Sequence, residues 1–98
     1  MNHISSNELE QKLTKGEKLH IVDVREVSEV AAGKIPTAIH IPLGLLEFRM
    51  HELDKKKPYI LVCRSGGRSS QAARFLESYG FDVTNMEGGM LAWEGKTE

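Results

Sequence analysis

The chain reads as an α/β protein of one domain, residues 1–98, built on an open and mostly parallel sheet with helices on both faces. Short β-branched runs alternate with amphipathic stretches roughly every 15–20 residues, a spacing suited to right-handed crossovers between parallel strands. The run Tyr59-Ile60-Leu61-Val62 is apolar throughout, as expected of a strand covered on both faces. Gly66 and Gly67 then separate it from a stretch of helical periodicity.

Ser5 and Glu8 have the spacing of a capping box, Leu9 and Leu13 stand one helical turn apart, and Gly16 is placed to end a helix over 6–14. Residues 19–24 are a β-rich, mostly apolar strand, with Asp23 and Arg25 at its C-terminal end. A short helix over 27–32 stops at Gly33. Residues 38–41 form another strand, bracketed by Pro36 and Pro42, and 43–53 is expected to be helical. Pro58 introduces strand 59–62, and helix 68–79 follows with Ala72, Ala73, Leu76 and Tyr79 on one face. Gly80 caps that helix, residues 81–84 fit a short strand, and Gly88-Gly89 precede a last helical turn carrying Leu91 and Trp93. Periodicity alone leaves the order of strands in the sheet open.

With 40% hydrophobic residues, a chain of this length can bury a core without metal or disulfide staples. Its net charge of -1 lacks the basic excess that a phosphate backbone rewards, so no nucleic-acid partner is expected. Lys55-Lys56-Lys57 is the only basic run, and its place before Pro58 suits a solvated loop. No stretch approaches the roughly 18–20 apolar residues that span a bilayer, and the first residues lack the apolar run of a signal peptide; the expectation is a cytoplasmic protein with no membrane partner. Cys63 is the only cysteine, so it has no partner for an intramolecular disulfide, and another molecule must resolve any redox cycle there. His3, His20, His40 and His51 lack metal-ligand spacing, and neither a metal nor a cofactor is expected.

Cys63 is the candidate for chemistry. A thiol at a helix N-terminus, near converging amides and beside Arg64 and Arg68, is favoured as the thiolate by the helix dipole, the amides and the cationic charge. One or two charge-assisted amide hydrogen bonds, at about 1.5–3 kcal/mol each, suffice to hold such a thiol ionised near neutral pH. Gly66 and Gly67 open the backbone conformations in which successive amides point at one anion. A buried, inert thiol is the plainer alternative. The Cys-x4-Arg spacing of Cys63 and Arg68 resembles the Cys-x5-Arg loop of protein tyrosine phosphatases, one residue shorter. The smaller ring disfavours a tetrahedral phosphoryl group over the sulfur and favours one additional sulfur atom, as in a persulfide.

Further segments accompany this loop: Ile21-Val22-Asp23-Val24-Arg25-Glu26, the stretch from Gly33-Lys34-Ile35-Pro36 through Ile41-Pro42, and Glu87-Gly88-Gly89-Met90-Leu91-Ala92-Trp93. Together they make the chain resemble a single-domain rhodanese, a member of the rhodanese-like sulfurtransferase family, over nearly its whole length. The resemblance implies a sheet of about five parallel strands. It also implies a sulfane sulfur taken onto Cys63 as a persulfide and passed to a nucleophilic acceptor without a cofactor. Carried over by position, Cys63 is the catalytic nucleophile. The amides of Arg64, Ser65, Gly66, Gly67 and Arg68 hold the outer sulfur, and the arginines attract a small anionic donor. Asp23 and Arg25 match the family's aspartate-x-arginine segment and are read as support for the loop. Lys34 and Thr37 stand where histidine and glycine are frequent, which bears on the geometry of 33–38.

The implied enzyme is of thiosulfate sulfurtransferase type, with a thiol or cyanide as acceptor. Two other functions suit the same loop. One is a persulfide carrier or interaction module serving a dedicated protein donor or acceptor. The other is a phosphatase or arsenate reductase, for which the loop has the wrong length.

Overall fold

A computed structural model describes residues Met1–Glu98. Five strands form one parallel sheet: β1 (Asn2–Ser5), β2 (Ile21–Asp23), β3 (Ile39–His40), β4 (Tyr59–Val62) and β5 (Val83–Glu87), in the order β1-β5-β4-β2-β3. The helices are α1 (Ser6–Thr14), α2 (Val27–Ala31), α3 (Leu46–Arg49) and α4 (Gly67–Ser78), with 3-10 turns at Leu43–Leu45, Met50–Glu52 and Gly89–Ala92. The α/β architecture expected from the sequence is the one observed.

β4 lies at the centre, and its side chains alternate between two cores, as strand pleating requires. Tyr59, Leu61 and Cys63 join Val22, Val24 and the Ala72, Ala73 and Leu76 face of α4. Ile60 and Val62 point the other way, toward Ile21, Ile35, Met86 and Leu9 of α1. Ala72 and Ala73 are completely buried, their small side chains letting α4 lie close on the sheet. Tyr79, expected on that face, falls just beyond the helix; it is 44% exposed and lies against Phe75 with ring centroids 5.1 Å apart.

Asp23 and Val62 are neighbours in register, and the pairing continues past both strand ends: the Val24 amide donates to Val62 O at 2.9 Å, and the Ile60 amide to His20 O at 2.9 Å. Because all strands run parallel, Ser6, Arg25, Cys63 and Gly88 all emerge at the carboxyl edge of the sheet, where ligands of open α/β folds bind.

The strands expected at 19–24 and 38–41 are shorter, and the largest departures from the sequence expectation lie elsewhere. β1 was not expected at all: it is four residues long with Ile4 as its one buried apolar side chain, too little for a periodic signal. The strand expected at 81–84 starts at Val83 and runs to Glu87, because the Phe81 amide is drawn back to Leu76 O at 3.1 Å, closing α4 around Gly80. The segment 43–53 is α3 between two 3-10 turns, not one helix. Lys55, Lys56 and Lys57 are exposed in a turn, as expected. No helix is long and apolar enough to cross a membrane.

Candidate active site

Cys63 follows β4 directly and is completely buried at the floor of the loop 63–68. Gly66 turns the chain with φ 106°, a left-handed conformation that glycine enters without a Cβ clash, and this aims its amide back at the sulfur, N to Sγ 3.0 Å. α4 begins at Gly67, so the amides of its first turn have no acceptor within the helix and remain available to an anion.

Ser69, in that first turn, completes the surroundings of the sulfur. Its Oγ lies 3.3 Å from Sγ, 2.5 Å from Asn85 Oδ1 and 3.2 Å from Gly66 O. With a neutral thiol, S–H donates to Ser69 and the Ser69 hydroxyl donates to Asn85; once the thiol ionises, the hydroxyl proton can turn to the sulfur. Burial opposes the thiolate. The Ser69 hydroxyl and the amides of Ser69, Gly66 and Ser65 together outweigh burial and hold the Cys63 thiol below its ordinary value. The thiol is thus held down chiefly by neutral donors, with the Arg68 charge that the sequence brought forward coupled to the sulfur as a lesser contribution.

The loop rests on the turn after β5. The Met90 amide donates to Cys63 O and the Leu91 amide to Arg64 O, both at 2.9 Å. Gly89, with φ 56°, makes this approach possible, since a Cβ at that position would overlap the Arg64 carbonyl. Ser6 Oγ donates to Gly89 O at 2.9 Å and ties the end of β1 to the same turn.

The arginines are differently occupied. Arg68 forms a two-pronged ion pair with Glu29 of α2, Nη1 to Oε1 2.7 Å and Nη2 to Oε2 2.8 Å. The Arg68 guanidinium holds the Glu29 carboxyl at about 2, so the pair is ionised at neutral pH. Arg25 is buried on Asp23, its Nε and Nη2 within 3.1 and 2.9 Å of the carboxylate, and it also donates to Gly33 O at 2.7 Å and Glu29 O at 3.4 Å. Arg64 is exposed and stands outside these ion pairs. Asp23 and Arg25 therefore reach the Cys63 loop through Glu29, whose carbonyl accepts from Arg25 and whose carboxylate holds Arg68. Lys34 Nζ and the Thr37 amide, the two positions with unusual residues, converge on Glu98 Oε1 at 2.6 and 3.4 Å.

Sequence reasoning brought Cys63 and its loop forward but gave no role to Ser69, Asn85, Glu29 or Gly89. A hydroxyl one turn into the helix, six residues after the thiol, is a signal the sequence does carry for Ser69. Glu29 and Asn85 reach their partners across 39 and 16 residues, which no local spacing reveals. No cluster of three or more His, Cys, Asp or Glu side chains is placed to hold a metal ion. A cavity of about 590 Å³ bounded by α1, Pro36, Thr37 and Trp93 contains none of the groups around Cys63.

A parallel sheet with a hydrogen-bonded cysteine in a glycine turn at its carboxyl edge defines a class of α/β proteins, and comparison with known proteins narrows it. The Rhodanese-like domain family model matches residues 5–96. The chain is 46% identical over 98 residues to a putative sulfurtransferase of Bacillus subtilis, YtwF, covering 100% of this chain and 95% of that protein. It is 44% identical over 96 residues to a putative sulfur carrier protein of the same organism, YrkF, covering 97% of this chain and 52% of that protein. The crystal structure of a rhodanese-like domain protein from Staphylococcus aureus matches with TM-score 0.94 at 38% identity, covering 100% of this chain and 97% of that one. The chain belongs to the rhodanese-like family, among relatives named as sulfurtransferases.

Proposed function

We propose that the protein moves a sulfane sulfur from a small anionic donor such as thiosulfate to a thiol or cyanide acceptor through a persulfide on Cys63. The observation that carries this reading is the Gly66 amide 3.0 Å from Sγ, in a loop one residue shorter than the phosphatase loop, a length that disfavours a phosphoryl group over the sulfur. In the first half-reaction the thiolate electron pair forms a bond to the outer sulfur of thiosulfate. The donor S–S bond breaks, and sulfite leaves with the bonding pair. The negative outer sulfur of Cys63–S–S⁻ then lies where the amides of residues 64–68 can stabilise it. In the second half-reaction cyanide or a thiolate attacks that outer sulfur, thiocyanate or a new persulfide departs, and the Cys63 thiolate returns. A thiolate that pre-exists needs no histidine base. Arg64 draws the donor in, and Asp23 with Arg25 holds the loop through Glu29. This chemistry suits the cytoplasm, where a lone thiol stays reduced.

Incubation with thiosulfate followed by intact-mass measurement is expected to show an adduct of one sulfur, about 32 Da, removed by reductant and absent from Cys63→Ser. No adduct, or one that persists in Cys63→Ser, overturns the proposal.

The likeness to YrkF, named a putative sulfur carrier protein, favours a second reading, in which the same persulfide is delivered to one dedicated protein partner. Slow turnover with cyanide, combined with fast transfer to a single protein acceptor, would establish it. Robust hydrolysis of an aryl phosphate, lost in Cys63→Ser, would overturn both readings in favour of a phosphatase.

A further inference from the structure

Three arginines stand around the loop, and two of them already face a carboxylate. Arg25 is held by Asp23, and Arg68, which closes the loop, gives both terminal nitrogens to Glu29. The Glu29 carboxylate is itself fixed, since its Oε1 also accepts from the Glu26 amide at 3.0 Å in the capping box that opens α2. The pair uses one N–H of each Arg68 terminal nitrogen and sets a carboxylate charge directly against the guanidinium, so the net positive charge that Arg68 presents to a second anion is largely offset. Only Arg64 faces the solvent without a carboxylate partner.

We propose that Glu29 is a specificity-determining residue for sulfur transfer: by engaging Arg68 it cancels one positive charge at the mouth of the loop and favours monoanionic sulfur donors, organic persulfides and thiosulfonates, over dianionic thiosulfate. This rests on the sulfur-transfer reading above. The surface beside the loop fits an organic donor. Leu91, whose amide donates to Arg64 O, is 67% exposed. An apolar side chain there can cover an organic group, and it offers no hydrogen bond to the oxygens of a sulfonate.

The test compares two donors that load the same sulfur. From methanethiosulfonate, Cys63 S⁻ takes the outer sulfur as the donor S–S bond breaks, and methanesulfinate leaves with the bonding pair; from thiosulfate, sulfite leaves in the same way. Each donor differs from the other by one negative charge. The ratio of kcat/KM for thiosulfate to that for methanethiosulfonate, with cyanide as acceptor, therefore reads charge at the mouth.

Glu29→Gln is expected to raise that ratio about three- to tenfold through a lower KM for thiosulfate, and added salt is expected to shrink the rise. Glu29→Asp keeps the charge and should hold the ratio near that of the unaltered protein. The double variant Glu29→Gln with Arg68→Gln, an uncharged pair that serves if Glu29→Gln alone does not fold, should also stay within about twofold of it. An unchanged ratio in folded Glu29→Gln, a rise that Glu29→Asp reproduces, or a double variant outside that range overturns the inference. If the unaltered protein loads sulfur from neither donor, the sulfur-transfer reading fails instead.

Discussion

At the end of β2 the chain turns through Asp23, Val24 and Arg25; at the end of β4, its neighbour in the sheet, it turns through Cys63 to Arg68. Parallel register brings the two corners to the same edge, Asp23 beside Val62. Their polar groups then go separate ways. After β2, the carboxylate, the guanidinium and the Gly33 carbonyl satisfy one another, and the Arg25 amide also donates to Asp23 Oδ1 at 3.0 Å. After β4, glycine lets the backbone curl so that an amide meets sulfur and the first-turn amides of α4 stay open. A corner that closes on itself is suited to support, and one with open donors is suited to bind. Both contain an arginine paired with a carboxylate, so the arginine is not what distinguishes them.

The largest effect should come from opening the closed corner. Asp23→Ala leaves a guanidinium buried to 6% exposure without its carboxylate, and removing one partner of a buried pair costs about 3–5 kcal/mol. Chemical denaturation should register a loss of that size. Cys63→Ser, in the open corner, should change the unfolding midpoint far less while abolishing persulfide formation. An Asp23→Ala protein that unfolds like the unaltered one would show that the β2 corner is not the support described.

A smaller effect, on reactivity alone, is expected from the open corner. Ser69→Ala removes the one side-chain donor to the sulfur and leaves burial unopposed by it, so the Cys63 thiol should move up from its lowered position. Thiolate exists above the thiol's value, so raising that value reduces the thiolate present at neutral pH. Hydrogen bonds to charged groups are worth about 1.5–3 kcal/mol, which corresponds to a drop of about tenfold or more in the rate of iodoacetamide alkylation at pH 7, with the pH inflection shifted upward. An unchanged rate profile would assign the lowering to the backbone amides alone.

The two corners were not equally legible in the sequence. Cys63, Gly66 and Gly67 announce themselves because an apolar strand, a glycine pair and a helical period meet at one point in the chain. Asp23 and Arg25 are visible as residue types, but what they hold depends on Gly33 and Glu29 folding back over them, which is a tertiary fact. Asn85 was hidden for a different reason. An asparagine is disfavoured in strands, and the strand expected over 81–84 stops short of it; yet Asn85 is 4% exposed within β5, its side-chain carbonyl accepting from Ser69. Gly89 could be seen as a breaker, but not as the place where two backbone segments touch. Strand existence followed from local pattern wherever apolar residues were numerous, and β1, with one buried apolar residue, gave no such pattern.

The smallest effect lies at the outer rim of the closed corner, in the loop 33–38 that offers Gly33 O to Arg25. Thr37 there has φ 71°, a left-handed conformation that is unusual for a β-branched residue and costs a non-glycine residue about 1–2 kcal/mol. Glu98 holds it in place through the Thr37 amide and the Lys34 ammonium. Thr37→Gly relieves the strain but adds freedom to the unfolded chain, so the net gain should be a fraction of about 1 kcal/mol, read as a small rise in Tm. The polar links from this loop toward Cys63 run by way of Arg25 and Glu29, so the rate of Cys63 alkylation and its pH inflection should stay as they are. If Thr37→Gly moves that inflection, the β2 corner tunes the sulfur as well as supporting its loop, and the division between a closed corner and an open one does not hold.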